Sequence, residues 1–381
     1  MRFLLFLPED AFDGYDLRRS CQEAEEQVRV AREVARATVT SAFRTWSPIH
    51  STSVEGLRVF ALHGTGALGT KIAHLVGRDL CAIEERSFED GEHKIRSLET
   101  VAGCDVYVVH SLHGGPEESP NDKLCRLLFF VSALKDAGAA RVTAVAPYLC
   151  YARKDRRTKA QDPVTIRYLA ALFEAAGIDA IVTLEVHNEA AFENAFRCPS
   201  VALSTAPLLI GKIREIAADR AICVVSPDLG GGKRADLLRE ALEKAVGRPI
   251  GKALVEKHRS SGVVSGDLFA GKVANALCVV VDDLVSTGGT LVRAAKAARA
   301  HGAKEVIACV AHGLFMSGAE SALADPSIDR IIATDSVPPF RLAPGPVLAK
   351  LDIISAAPLF AETIRRLHHN ETVDDLLPYQ A

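Results

Sequence analysis

Two adjacent carboxylates, Asp282 and Asp283, close the apolar run Val279-Val280-Val281, and Leu284-Val285-Ser286-Thr287-Gly288-Gly289-Thr290 follows before a helical stretch. A strand that ends this way places acids where the vicinal hydroxyls of a sugar can donate to them. The turn beyond it offers backbone N–H groups and hydroxyls to a phosphate at a helix N-terminus. Together these describe a pocket for a ribose 5-phosphate unit. The plain alternative, an acidic N-cap before a glycine turn, is disfavoured by paired acids and STGGT on one strand end.

A second stretch, Arg153-Lys154-Asp155-Arg156-Arg157-Thr158-Lys159, packs five cations into seven residues just after the strand-like run 141–148. Arginine forks and lysine point charges at the carboxyl end of a sheet strand suit a polyphosphate; a solvated basic loop is the usual alternative. Asp228, followed by Gly230-Gly231-Gly232-Lys233-Arg234, reads as an anion-cradling turn with a carboxylate for Mg²⁺. His187, in Leu184-Glu185-Val186-His187-Asn188, sits at another strand end. Alone, a histidine there is more often structural than a ligand. Lys257 and Arg259 lead into Ser260-Ser261-Gly262, which suits either a mobile charged flap or an ordinary surface loop. Phe88-Glu89-Asp90-Gly91-Glu92 is a turn with an exposed aromatic and acids, and means little by itself.

Such motifs need rigid strand ends to hold them. From Leu57 onward, apolar runs of strand length (LRVFAL, LCAIEE, DVYVVH, RVTAVAPY, AIVTLEV, AICVVSPD, KALVEK, ALCVVVDDL, EVIACVAH, RIIATDS) alternate with helical stretches such as 122–137, 164–176, 233–246 and 289–301. Alternation of this kind predicts an α/β protein with parallel sheets flanked by helices. Aromatics at 6% also favour helix-covered sheets over a β-sandwich. At about 150 residues per domain, 381 residues make two domains and a remainder. The remainder is expected at 1–55, an appendage with a charged helix at 21–45 and a linker near 51–56. The two domains are expected at 56–204 and 205–355, with a closing segment at 356–375 packing back on the first. Seams are read near 200–206 and at the Pro-rich 338–346.

A formal charge of −3 argues against nucleic acid as partner, so basic chemistry must be locally clustered. No apolar run approaches the ~18 residues of a membrane span, and the start is too short for a secretory signal. Nine scattered cysteines without a CxxC pair predict reduced thiols and a cytoplasmic protein.

One motif points elsewhere. Gly64-Thr65-Gly66-Ala67-Leu68-Gly69 follows the first strand and opens a helix, and Glu84 and Glu85 stand about 20 residues on, the spacing of a dinucleotide-binding turn. A nicotinamide-dependent oxidoreductase is therefore a competing reading, against glycines that simply make a tight turn.

The ordered set decides between them. F-x-D-G-E at 88–92, PYxxYARxDR at 147–156, xVH at 185–187, SPDxGGxKRA at 226–235, DDxxxTGGT at 282–290, Thr334-Asp335 and AETIRRLHH at 361–369 resemble the ribose-phosphate pyrophosphokinase family over about 57–375. The resemblance implies two tandem type I phosphoribosyltransferase-like domains. It also implies transfer of the diphosphoryl group of Mg-ATP to the C1 hydroxyl of ribose 5-phosphate, releasing AMP. By the same resemblance Phe88, Asp90 and Glu92 hold adenine, acting from a neighbouring subunit of a dimer or a higher assembly such as a hexamer. Arg153 and Lys154 meet the ATP phosphates, and His187 and Asp228 organise Mg²⁺. Asp228, Asp282 and Asp283 serve the ribose, Ser286, Thr287, Gly288, Gly289 and Thr290 cradle the 5-phosphate, and Lys257 and Arg259 close over the transition state. Lys154 stands where the family commonly has Gln, Glu185 where it has Asp, and Ser286 where it has Asp. A type I salvage phosphoribosyltransferase shares DDxxxTGGT but has no use for YARKDRR. A non-catalytic homologue would keep the fold without the intact cations.

Overall fold

The computed structural model describes residues 56–260 and 263–377, with the side chains of 257–267 outside the description. The appendage read at 1–55, with its helix and linker, lies outside the described residues.

The first strand, β1 (Leu57–Ala61), runs into α1 (Gly66–Leu75). A two-stranded antiparallel ribbon follows, β2 (Ile83–Ser87) and β3 (His93–Ser97). Next come β4 (Asp105–Val109), α2 (Pro120–Asp136), β5 (Arg141–Ala146), α3 (Thr165–Ala176), β6 (Ala180–Leu184), α4 (Glu189–Ala195) and β7 (Ser200–Leu203). These make a five-stranded parallel sheet of order β1-β4-β5-β6-β7. Every residue of β4, β5 and β6 is buried, as strands covered on both faces require. The starting turn of α2 is set by a capping box: Ser119 accepts from the Asp122 N–H while Asp122 accepts from the Ser119 N–H, with Pro120 in the first turn.

The chain then enters a second sheet through α5 (Ala206–Ala217), whose Leu209 and Ile213 pack with Val224, Val279 and Ile307. Its elements are β8 (Ile222–Ser226), α6 (Gly232–Val246), β9 (Gly251–Ser260), β10 (Val263–Gly271), β11 (Leu277–Val285), α7 (Gly289–Ala300), β12 (Glu305–Gly313), α8 (Ala319–Leu323), β13 (Arg330–Thr334), α9 (Pro346–Ala349), β14 (Leu351–Ile354) and α10 (Ala357–His368). The seven strands lie in the order β10-β9-β8-β11-β12-β13-β14, parallel throughout except for the β9–β10 pair.

Two expectations are corrected here. The Pro-rich 338–346 is no seam: β14 follows it and pairs with β13 in the same sheet. Proline serves there as a turn within one layer. The strand run read at 252–257 continues through Ser260, with Lys257 opposite Asp267 and Arg259 opposite Val264, so the backbone of both cations is a hairpin arm and not a Ser/Gly loop.

The glycines of 64–69 are also explained by packing. Gly64 takes a left-handed φ of 75° in the turn, and a Cβ at Gly69 would run into the Cβ of Ala61. Glu85 accepts from the His63 N–H at 3.2 Å, and Glu84 is held by Arg96 Nε at 2.7 Å and Lys94 at 3.3 Å. Both acids needed by the dinucleotide reading are thus engaged within the fold.

The last helix returns to the first sheet. Buried Asp105 accepts from Arg141 Nε at 2.6 Å and pairs with His368 Nδ1 of α10 at 2.8 Å, while Arg141 also reaches the Leu367 carbonyl at 3.0 Å. Among the described residues no helix is long and apolar enough to cross a membrane, and their cysteines are unbridged.

Candidate active site

The carboxyl ends of β5, β6, β8 and β11 converge on a cavity of about 640 Å³. It is lined by both signs of charge, the cations Arg156, Lys233 and Arg234 among the acids Glu185, Asp228 and Asp282, with His187 also in the lining. A smaller recess beside it is lined by Tyr148, Arg153, His187, Asp283 and His312.

His187 joins the two sheets. Its Nδ1 lies 2.8 Å from Asp283 Oδ2, and that hydrogen bond raises the imidazole pKa against the opposing effect of burial. For Asp283, burial works upward, but the His187 hydrogen bond and the nearby Arg234 charge outweigh it and hold the carboxyl well below the usual range. Asp282 moves the other way, raised first by burial and then by the Asp283 charge. Its Oδ1 accepts from the Asp283 N–H at 2.9 Å and faces Arg234 Nη1 at 3.7 Å. The paired acids therefore do not face one space. Successive strand side chains alternate, so Asp282 lines the large cavity while Asp283 is engaged in the recess.

Glu185 has φ 41°, a left-handed backbone that is strained for a residue with a Cβ. Its Oε1 accepts from both the N–H and the hydroxyl of Thr205, each at 2.8 Å, at the start of α5. Its Oε2 meets Arg234 Nε at 3.3 Å. The additional methylene relative to Asp is thus used to reach across to the second sheet.

Asp228 is exposed in the turn after β8, where its Oδ1 accepts from the Gly231 N–H at 2.9 Å. The phosphate-cradle candidates occupy the turn from β11 into α7. Gly288 caps that helix at φ 82°, and a Cβ there would stand 2.7 Å from Leu323 Cγ. Thr287 and Gly289 are exposed, Thr290 is half-buried, and the Ser286 carbonyl is held by the Met316 N–H at 2.8 Å.

Lys154 and the Phe88 turn lie outside the cavity lining. Lys154 is bound to Asp162 at 2.7 Å, and the same Asp162 oxygen accepts from Thr158 and Lys159 N–H at 3.0 Å. Lys154 thus braces the basic loop, while Arg153 and Arg156 line the openings. Phe88, Asp90 and Glu92 lie on the exposed turn between β2 and β3, apart from the cavity lining. There Glu92 N–H donates to Asp90 Oδ1 at 3.0 Å, and the Arg86 guanidinium sits 4.9 Å over the Phe88 ring.

Tyr148 and His312 complete the surroundings and are not singled out by sequence as site residues, whereas Arg156 and Arg234 are read within their cation clusters. Arg234 carries a signal, following three glycines at a strand end; His312 is a polar residue closing the apolar run of β12.

Among the described residues no three His, Cys, Asp or Glu side chains cluster as a closed metal site. Mg²⁺ does not need one, because it keeps waters and takes one or two carboxylates plus substrate phosphates. The exposed carboxylate of Asp228 suits that requirement, and His187, held at Nδ1 by Asp283, lines the same cavity.

Parallel sheets with a strand-end acidic pair and a glycine-capped anion turn define the type I phosphoribosyltransferase-like class. Residues 57–177 match the N-terminal domain of ribose phosphate pyrophosphokinase, and residues 247–378 match the phosphoribosyl synthetase-associated domain. A ribose-phosphate pyrophosphokinase of Caldanaerobacter subterraneus subsp. tengcongensis is 35% identical over 84% of this chain and 97% of its own. One from Gloeobacter violaceus is 33% identical over 87% of this chain and 96% of its own. The crystal structure of phosphoribosylpyrophosphate synthetase from Mycobacterium smegmatis superposes with a TM-score of 0.73 at 32% identity, covering 83% of this chain and 99% of that one. The chain belongs to the ribose-phosphate pyrophosphokinase family.

Proposed function

We propose that this chain carries the diphosphoryl group of ATP to the C1 hydroxyl of ribose 5-phosphate, giving 5-phosphoribosyl 1-diphosphate and AMP. The observation that carries the reading is the meeting of β6 and β11. His187 from one sheet is bonded to Asp283 of the other, beside a cavity lined by the cations Arg156, Lys233 and Arg234 together with the acids Asp228 and Asp282.

The C1 oxygen attacks the β-phosphorus, and the bond from that phosphorus to the α,β-bridging oxygen breaks. AMP leaves with the bridging oxygen, and the hydroxyl proton passes to solvent. Such a transfer asks for alignment and for positive charge on the developing negative oxygens. Arg153, Arg156 and Lys233 supply cations along the phosphate chain. Asp282 accepts from a ribose hydroxyl. The Ser286–Thr290 turn binds the 5-phosphate through backbone N–H groups and hydroxyls at the α7 N-terminus. Asp228 and His187 would hold Mg²⁺, which would supply neutralising charge to the phosphates. Lys257 and Arg259 on the β9 arm close over the reacting group. The exposed Phe88 turn serves the adenine of a neighbouring subunit in a self-assembled oligomer.

Mixing the chain with Mg-ATP and ribose 5-phosphate should release AMP and 5-phosphoribosyl 1-diphosphate in equal amounts. Replacing Lys257 and Arg259 together by Ala should reduce turnover far more than ATP binding. A chain that makes no AMP at any phosphate concentration overturns the reading.

A further inference from the structure

The shelf that carries His187 is held from behind by His312. This ring is 3% exposed and lies on β12, in register with Leu284, the residue after Asp283. Its Nε2 lies 2.9 Å from the Leu184 carbonyl and 3.2 Å from the Glu185 carbonyl, both at the end of β6 in the other sheet. Two carbonyls can only accept, so Nε2 carries the hydrogen. Nδ1 is then an acceptor, 2.8 Å from the Ser336 hydroxyl. Ser336 is itself ordered by Thr334, whose Oγ1 is 2.7 Å away and accepts from the Ser336 N–H at 3.2 Å. Thr334 and Ser336 are fully buried. The two carbonyls require the hydrogen on Nε2, while the Ser336 hydroxyl, also 3.2 Å from the Ala311 carbonyl, meets the ring at Nδ1.

What it donates to is the strained residue of the site. Glu185, at φ 41°, is tied by its N–H to Leu203, by its carboxylate to Thr205, and by its carbonyl to His312. A left-handed backbone of this kind persists only where its surroundings over-determine it. His187 is two residues further on, and its bond to Asp283 depends on that shelf.

We propose that His312 is a positioning residue for the reaction, clamping the end of β6 through Nε2–H so that His187 stays on Asp283 across the two sheets. The affected reaction rests on the diphosphokinase reading; the clamp itself does not.

The test compares His312→Leu, His312→Gln and Ser336→Ala in the full chain with Mg-ATP and ribose 5-phosphate. The Gln amide can place an N–H near the former Nε2–H. His312→Leu should lower kcat at least about tenfold, with KM for each substrate changing less than about threefold. His312→Gln should restore most of kcat. Ser336→Ala should give a smaller loss and add nothing in the His312→Leu background, because both act through one ring. Native turnover in His312→Leu, a Gln variant no better than Leu, or strictly additive losses would overturn the clamp. If His312→Leu does not fold, the Gln and Ser336→Ala variants still decide. Independently of activity, nitrogen-15 NMR of the native chain near neutral pH should find His312 as the neutral Nε2–H tautomer. An Nδ1–H tautomer or an imidazolium overturns the clamp. If the native chain releases no AMP while the tautomer is as stated, the diphosphokinase reading fails and the clamp survives.

Discussion

His187 and Asp283 reach each other from different sheets, so their hydrogen bond reports local chemistry and the seating of one layer on the other. Asp283→Asn keeps the shape and removes the charge. The raised pKa of His187 means its pairing stabilises the fold fully below the unfolded value of 6.5 and is lost as pH rises through the higher folded value. Asp282 acts in the same direction: its raised pKa makes ionisation costly at high pH, and removing the neighbouring charge relieves it. Asp283→Asn should therefore lose more stability at about pH 5.5 than at about pH 9. The difference should be about 1 kcal/mol or less, because the His187 side chain is 47% exposed. Urea denaturation at the two pH values measures it, and an equal or reversed cost would refute the assignment. The types of these residues were legible in sequence because acids and a histidine closing apolar strands stand out. Their partners were not. Asp282 and Asp283 look like a pair on paper, and only the strand's alternation and the other sheet's approach send one to the cavity and the other to His187.

At the scale of elements, the turn from β11 into α7 depends on one glycine. Gly288→Ala must accept a φ of 82° and a Cβ 2.7 Å from Leu323 Cγ, whereas a Cβ at Gly289 meets nothing within 4 Å. Gly288→Ala should cost about 1–3 kcal/mol and raise KM for ribose 5-phosphate, while Gly289→Ala should stay within about 0.5 kcal/mol of the native stability. Denaturation and initial-rate measurements on both variants check this, and similar costs for the two would count against it. The long buried strands were readable because parallel strands covered on both faces appear as unbroken apolar runs. The four-residue β7 and β14 gave too short a signal, and β10 carries Gly266 and Asp267 inside it, which hid it as a strand.

For the whole molecule, the cluster of Asp105, Arg141 and His368 ties the last helix to the first sheet. Asp105 is 1% exposed, so Asp105→Asn leaves Arg141 buried against a neutral partner. The variant should lose about 3 kcal/mol or more and release α10, seen as faster amide exchange over 357–368 than over β11. Unchanged exchange in that helix would refute the tie. The return of 356–375 to the first domain is expected from sequence, but its partners are not, because His368 and Asp105 are 263 positions apart and such a contact leaves no local trace.

That separation orders events during synthesis. The first sheet emerges with Arg141 already beside its buried Asp105, yet the second partner, His368, is made only after the whole second sheet. A nascent chain therefore carries an incomplete Asp105–Arg141 cluster through the translation of the second sheet, and the first sheet is completed by a helix made after the second.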